Sequence, residues 1–212
     1  MQGQNSIKCT TSEINKKYFE EHPEAKKERE WLNKKSRLAE FNKTAVSTSI
    51  TIPIVFHVND PTNPQKVTLA QVQSAVDILN EDYNGLNPEF NSLRPEFQGI
   101  ASNFEINFCL ASIDPDGNST NGITYHYNSY NGREPNGSGG AVKGVSVWPC
   151  DKYLNVWIVN EVEDDGDLYY SGWAFYPSTS LADQGLDGIV YNHRYLGYGE
   201  GSSDVSGPTS WQ

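Results

Sequence analysis

Five short apolar runs and one long amphipathic stretch set the pattern of this chain. ITIPIVFHVND holds a continuous apolar block, Ile54 to Val58, with Pro53 at its beginning, where a missing N–H is tolerated in a strand. FEINFCLAS predicts a second strand around Phe104 to Ala111. YLNVWIVN and DGIVYNH are short, β-branched or aromatic, and bounded by Asp and Gly, which is how strands buried on both faces read. GWAFYP, between them, stops at Pro177 as an edge strand does. VTLAQVQSAVDILNEDYNG predicts a helix: Thr68 and Gln71 form a capping box, Leu69, Val72, Val76, Leu79 and Tyr83 share a face, and Gly85 supplies the stop. The strand–helix–strand order is a βαβ unit with a right-handed crossover. The class is therefore α/β (α+β), with a sheet whose free edge is built late in the chain.

Before these runs, Ser12 to Phe41 is Lys/Glu-rich and helical in pattern, with Pro23 near a helix start. Trp31, Leu32, Leu38 and Phe41 form one narrow apolar stripe, too small for a core of its own, so this leader is expected to lie on the rest of the molecule. Asn42 to Ser49 reads as a linker, Asn128 to Gly144 as a Gly/Asn/Ser-rich surface loop in which Arg133 and Lys143 carry no signal, and Gly197 to Gln212 as irregular. The organisation is a basic helical leader, 1–45, and a body, 46–212.

The 212 residues, 36% hydrophobic and 20% charged, suffice for one sizeable core. The net charge of -11 argues against nucleic acid or an anionic membrane as partner. That charge is uneven, with +3 on residues 1–45 and -14 on the remainder, so leader and body are electrostatically complementary, although a solvated helical arm has the same composition. No apolar run is long enough for a membrane-spanning helix, and MQGQNSIK lacks a signal-peptide core. Cys9, Cys109 and Cys150 divide either into one disulfide and one special thiol or into three unrelated thiols. Cys109 and Cys150 lie on, and just before, neighbouring predicted strands; a bridge closing about 40 residues would contribute roughly 3–4 kcal/mol, and two free thiols are the competing reading.

No local catalytic constellation stands out. His22, His57, His126 and His193 are too dispersed to place two imidazoles on one helical turn, and His57, inside an apolar run, reads as a hydrogen-bonded core residue. There is no nucleophile elbow, phosphate loop or dinucleotide fingerprint. Asp114 to Gly122 superficially resembles a calcium loop, but Gly117 and Tyr125 stand at the wrong positions and it reads as a turn. The acidic Glu161 to Asp167 likewise reads as a solvated turn.

The succession IPIVFHV, VTLAQVQSAVDILNEDYN, INFCLASIDPDGNSTNGI, YLNVWIVN, GWAFYP and DGIVYN, spanning Ile52 to Asn192, resembles the N-terminal half of a pappalysin-family metallopeptidase, a branch of the metzincin zinc proteases. The resemblance implies a metzincin-like upper subdomain: a twisted, mostly parallel five-stranded sheet with an antiparallel edge strand and a backing helix, preceded by a helical propeptide. It makes Gly172, Trp173, Ala174, Phe175 and Tyr176 the edge strand beneath which a protein or peptide substrate pairs. Zinc is the implied cofactor and calcium a further candidate. The zinc-binding His-Glu-x-x-His helix follows the fifth strand in this family, so the ligands and general base are expected downstream of Gln212 and the chain alone is expected to be inactive.

Family proforms are kept latent by a leader cysteine that occupies the zinc. Cys9, in CTT, has the matching location, although Thr10 stands where the family has glycine. The resemblance thus implies a secreted or extracytoplasmic precursor whose propeptide docks on its own catalytic domain. The rival reading is a non-enzymatic secreted β-rich binding module in which Trp148, Trp157, Trp173, Tyr169 and Tyr170 form a ligand platform.

Overall fold

The computed structural model describes residues 8–40, 49–130, 140–163 and 165–198. In chain order the elements are β1 (Lys8–Cys9), α1 (Thr11–Glu21), α2 (Pro23–Glu40), β2 (Ile50–Asn59), α3 (Leu69–Tyr83), α4 (Pro95–Gln98), β3 (Ile106–Leu110), β4 (Ile123–His126), α5 (Gly140–Gly144), β5 (Leu154–Val159), β6 (Tyr170–Ala174), α6 (Thr179–Asp183) and β7 (Ile189–Asn192). They build one seven-stranded sheet in the order β1-β6-β7-β5-β2-β3, with β4 pairing further along β2. All pairings are parallel except β6 with β7. The mostly parallel sheet with an antiparallel strand is the expected class, enlarged by two short strands, β1 and β4, that the apolar pattern does not announce.

β2 is the strand on which the sheet is assembled. One side takes β3 along Ile50–Ile54 and then β4 along Phe56–Asn59, while the other takes β5 along Ile54–Val58. The chain between β3 and β4 leaves the sheet and returns through the Asp114 turn. Asp114 Oδ1 accepts from the N–H groups of Asp116 and Asn118 there, and Gly117 and Gly122 adopt positive φ. Pro53 lies inside β2 rather than at its start. It is tolerated because Ile50 and Ile54 direct their backbone bonds toward β3, so the missing N–H of Pro53 faces the β5 side, where the ladder begins only at Ile54.

Period-two alternation divides the core between the two faces. Ile54, Phe56, Val58, Val156 and Ile158 face α3 and meet Val72 and Val76. Trp157, Val159, Val190 and Trp173 face the other way, onto Val142, Val162, Leu181 and Ile14. Each such side chain contributes roughly 1.5–3 kcal/mol by leaving water. α3 starts as expected, Thr68 Oγ1 accepting from the Gln71 N–H, and ends at Gly85 with φ 62°. Its buried face is shifted: Leu69 and Tyr83 are exposed, and Gln71 takes their place in the interior. Instead of closing a capping box, the Gln71 carboxamide donates to the carbonyls of His193 and Leu196, tying α3 to the turn after β7.

The leader forms two helices with Pro23 at the first position of the second. The described part of the expected stripe, Trp31 and Leu32, is not in the core: Leu32 is half-buried. Trp31 is exposed beneath the Lys35 ammonium, and among the described leader residues Thr10, Ile14, Asn15 and Ala25 are the buried ones instead. The Leu38 side chain and Phe41 lie outside the described residues, as do 42–48 of the linker, 131–139 of the expected surface loop, Asp164, and 199–212. The end of that loop is helical rather than open, with Val142 and Lys143 completely buried in α5.

Gln71→Leu is expected to cost about 2–3 kcal/mol in urea unfolding, because two carbonyls lose their donor, against about 1 kcal/mol for Thr68→Ala. Equal or inverted losses would refute the tie to the post-β7 turn.

Candidate functional site

β6 has one partner strand in the body, β7, and turns its other edge outward. Its position is set from inside. Trp173 and Phe175 point into the core and pack edge to face at 5.2 Å. Gly172 lies so close to β7 that a Cβ there would sit 2.5 Å from the Val190 carbonyl oxygen. Beneath the strand lies the fully buried Lys143 ammonium, 4.5 Å from the Trp173 ring centre, 4.9 Å from Phe175 and 5.1 Å from Trp157. It donates to the carbonyls of Leu186 (2.6 Å) and Gly188 (3.3 Å). Burial pulls its pKa down to about 7, with the Asp187 carboxylate opposing. A lone lysine in a Gly/Ser-rich stretch gives no sign of this; the rings that receive it come from two other runs, Trp157 from one and Trp173 and Phe175 from the next.

The outward edge is occupied by the leader. β1 runs parallel to β6, with Lys8 opposite Tyr170 and Cys9 opposite Gly172. The Thr10 N–H donates to the Gly172 carbonyl at 3.4 Å. The Ala174 N–H donates to Thr11 Oγ1 at 3.1 Å. The Asn15 carboxamide donates to the Ala174 carbonyl (2.9 Å) and accepts from the Tyr176 N–H (2.7 Å). Beyond the edge, Ile14 enters the aromatic cluster and Tyr18 lies 4.9 Å from Phe175. Arg29 covers Tyr176 at 4.7 Å, and the Glu28 carboxylate accepts from the Thr179 N–H and hydroxyl at the start of α6.

Of the five edge positions, then, Gly172, Ala174 and Tyr176 present backbone groups to the leader while Trp173 and Phe175 anchor the strand below. Regular β6 covers Tyr170–Ala174, so Phe175 and Tyr176 follow it rather than belong to it. Cys9 stands at this edge as an exposed free thiol whose Sγ lies 3.3 Å from Thr11 Oγ1.

Two expectations are corrected. Cys109 and Cys150 are not bridged. Cys109 lies opposite Pro53 on the β3 side of β2, whereas Cys150 precedes β5 on the other side. Two strand spacings, about 10 Å, exceed the separation of about 4.4–6.8 Å that a disulfide spans. The aromatic platform is not a surface: Trp157 and Trp173 are core residues, and Trp148 packs edge to face against Tyr153.

His57 is a core residue. Its Nε2 lies 2.9 Å from Asn155 Oδ1, which can only accept, so Nε2 carries the hydrogen and Nδ1 accepts from the Thr124 hydroxyl at 2.8 Å. Burial holds its pKa down to about 4. Among the described residues no group of three or more His, Cys, Asp or Glu side chains could hold a metal ion. No helix among them is long and apolar enough to cross a membrane.

Comparison with known proteins agrees with this geometry. The peptidase family model described as pregnancy-associated plasma protein-A matches residues 141–208. Mature mirolysin of Tannerella forsythia in complex with a cleaved peptide is 30% identical, with a TM-score of 0.64 over 74% of this chain and 58% of its own. A promirolysin mutant from the same organism is 27% identical, with a TM-score of 0.70 over 92% of this chain and 62% of its own. Mirolysin in complex with compound 9 is 30% identical, with a TM-score of 0.62 over 74% and 57% of the respective chains. This chain therefore spans less than two thirds of the proteins it matches. No curated protein sequence matches it. The class of protein that these matches make the chain similar to is the metzincin metallopeptidases. Within it, the family that the chain matches in sequence and in fold is the pappalysins.

Thiol titration of the denatured, unreduced protein should count three free cysteines; a count of one would restore the bridge. The unfolded chain protonates His57 near pH 6.5 and the folded chain only near 4, so the stability contributed by the neutral ring is complete above pH 6.5 and is lost as pH falls toward 4, by about 3 kcal/mol. His57→Gln should flatten that part of the pH–stability curve, and an unaltered acid limb would disprove the assignment.

Proposed function

We propose that this chain is the N-terminal portion of a secreted zinc-dependent endopeptidase precursor, in which residues 1–45 are the pro-segment and 46–212 the upper part of the catalytic domain. The observation that carries the reading is the pairing of Cys9 with Gly172. An exposed sheet edge is where an extended peptide adds by backbone hydrogen bonds, and here the chain's own leader lies in that place. The match to promirolysin extends over 92% of the chain against 74% for the mature forms, which supports a leader belonging to the precursor. The mirolysin structure in complex with a cleaved peptide supports peptides as the substrate class.

Zinc, when bound in such enzymes, polarises a water for attack on the peptide carbonyl. The described residues do not compose such a site, and no hydrolytic step is assigned to them. Cys9 contributes one thiol at the sheet edge, suited as a thiolate to occupy a zinc position in the latent form, while the histidine ligands and the general base are expected beyond Gln212. Calcium stays an implication of the family alone: Asp114 fills its own turn with backbone N–H bonds, which offers a cation no prepared cage.

In a precursor extended past Gln212, Cys9→Ala should shorten the lag before peptidase activity several-fold while leaving the final rate unchanged; an unchanged lag would overturn the thiol's role. The 212-residue chain itself should retain no stoichiometric zinc after dialysis, measured by atomic emission, and tight one-to-one zinc would show a site within it.

A further inference from the structure

The leader leaves the edge strand after two paired residues, yet the edge stays covered as far as Tyr176. In a parallel ladder, one residue of the added strand donates its N–H to the carbonyl of residue i−1 and accepts with its own carbonyl from the N–H of residue i+1. Thr10 begins such a bridge astride Trp173 by donating to the Gly172 carbonyl. Its own carbonyl does not complete the bridge: it is turned along α1, where it accepts from the Ile14 N–H. The Thr11 hydroxyl takes its place and receives the Ala174 N–H. The next bridge, astride Phe175, is made entirely by one side chain: Asn15 gives Nδ2–H to the Ala174 carbonyl and receives the Tyr176 N–H on Oδ1. The second Nδ2 hydrogen goes to the Thr11 carbonyl at 2.7 Å, four residues back along α1. Asn15 is only 2% exposed. A carboxamide has the same donor and acceptor as a peptide group, and here every one of its hydrogens is used.

We infer that Thr11 and Asn15 continue β1 as a strand made of side chains, and that the Asn15 carboxamide is the clasp that holds the leader over the edge strand while the backbone has already turned into a helix. Asn15 is a positioning residue for the covered state of the edge. The inference rests on the reading of the leader as a pro-segment only for its regulatory meaning; the clasp itself is a matter of which backbone groups are bonded. The arrangement also explains how a leader can seal a long stretch of edge with little extended backbone of its own.

The test is site-resolved amide exchange on the whole 212-residue chain. Asn15→Asp keeps the shape and one acceptor oxygen, but sets a second oxygen against the carbonyls of both Ala174 and Thr11. At neutral pH the amides of Ala174 and Tyr176 should exchange about tenfold faster or more, with β2 and β5 amides unchanged. Lowering the pH until the new carboxyl is protonated returns a donor to Ala174, so the excess exchange, taken as a ratio to the parent chain at the same pH, should disappear. Full protection of Tyr176 in Asn15→Asp at neutral pH would overturn the clasp. If that variant loses β5 protection as well, Asn15→Leu, which keeps the volume, decides. Selective loss at Ala174 and Tyr176 supports the clasp; retained protection overturns it. None of these readouts uses zinc or peptidase activity, so a failed clasp is told apart from a failed pro-segment reading, which appears only as a leader without influence on the extended precursor.

Discussion

An open sheet edge is a row of backbone donors and acceptors that has to be satisfied, and the arrangement of this protein depends on how β6 meets that requirement. On one side β7 pairs it antiparallel; on the other the leader does so in parallel, first with backbone and then with the side chains of Thr11 and Asn15. The same edge that is a liability in an ordinary sheet is here covered by the chain's own leader.

The edge is useful only if it is held still, and the Lys143 box does this. A buried ammonium is costly unless its three hydrogens and its charge are matched. Two backbone carbonyls and three ring faces offset part of that cost, burial still holding the pKa down to about 7, and two of those rings, Trp173 and Phe175, flank the edge residue Ala174 in sequence. Ile14 closes the same cluster from the leader side, so the packing that fixes the strand and the packing that docks its cover form one continuous core. Uncovering the edge therefore also exposes apolar surface, which gives the covered form a hydrophobic contribution beside its hydrogen bonds.

The strands that carry the sheet could be read from the chain because burial on both faces demands long apolar runs: Ile54 to Val58, Leu154 to Val159 and Ile189 to Asn192 admit little else. α3 was equally legible, from Thr68 and Gly85, although its buried face was not, since Gln71 went inside to satisfy two carbonyls more than a hundred residues away. β4 leaves no mark in the sequence because four residues pairing with the end of β2 need no pattern of their own. The leader's docking residues leave no such mark either. The stripe through Trp31 and Leu32 is the more hydrophobic, but the contact is decided by Ile14 and Asn15, a pairing of one apolar and one polar residue that periodicity cannot rank.

By itself, then, the sequence determined the central strand runs, the main helix and the family resemblance, and it placed β6 only to within two residues, because each is written in local composition and order. Tertiary structure alone decided what stands at that edge. The parallel register of Cys9 on Gly172, the carboxamide of Asn15 in the place of a peptide group, the burial of Lys143 and the separation of Cys109 from Cys150 by two strand spacings all depend on which distant segments the sheet brings side by side. A hydrogen-bonding side chain carries no local mark of the partner it will find.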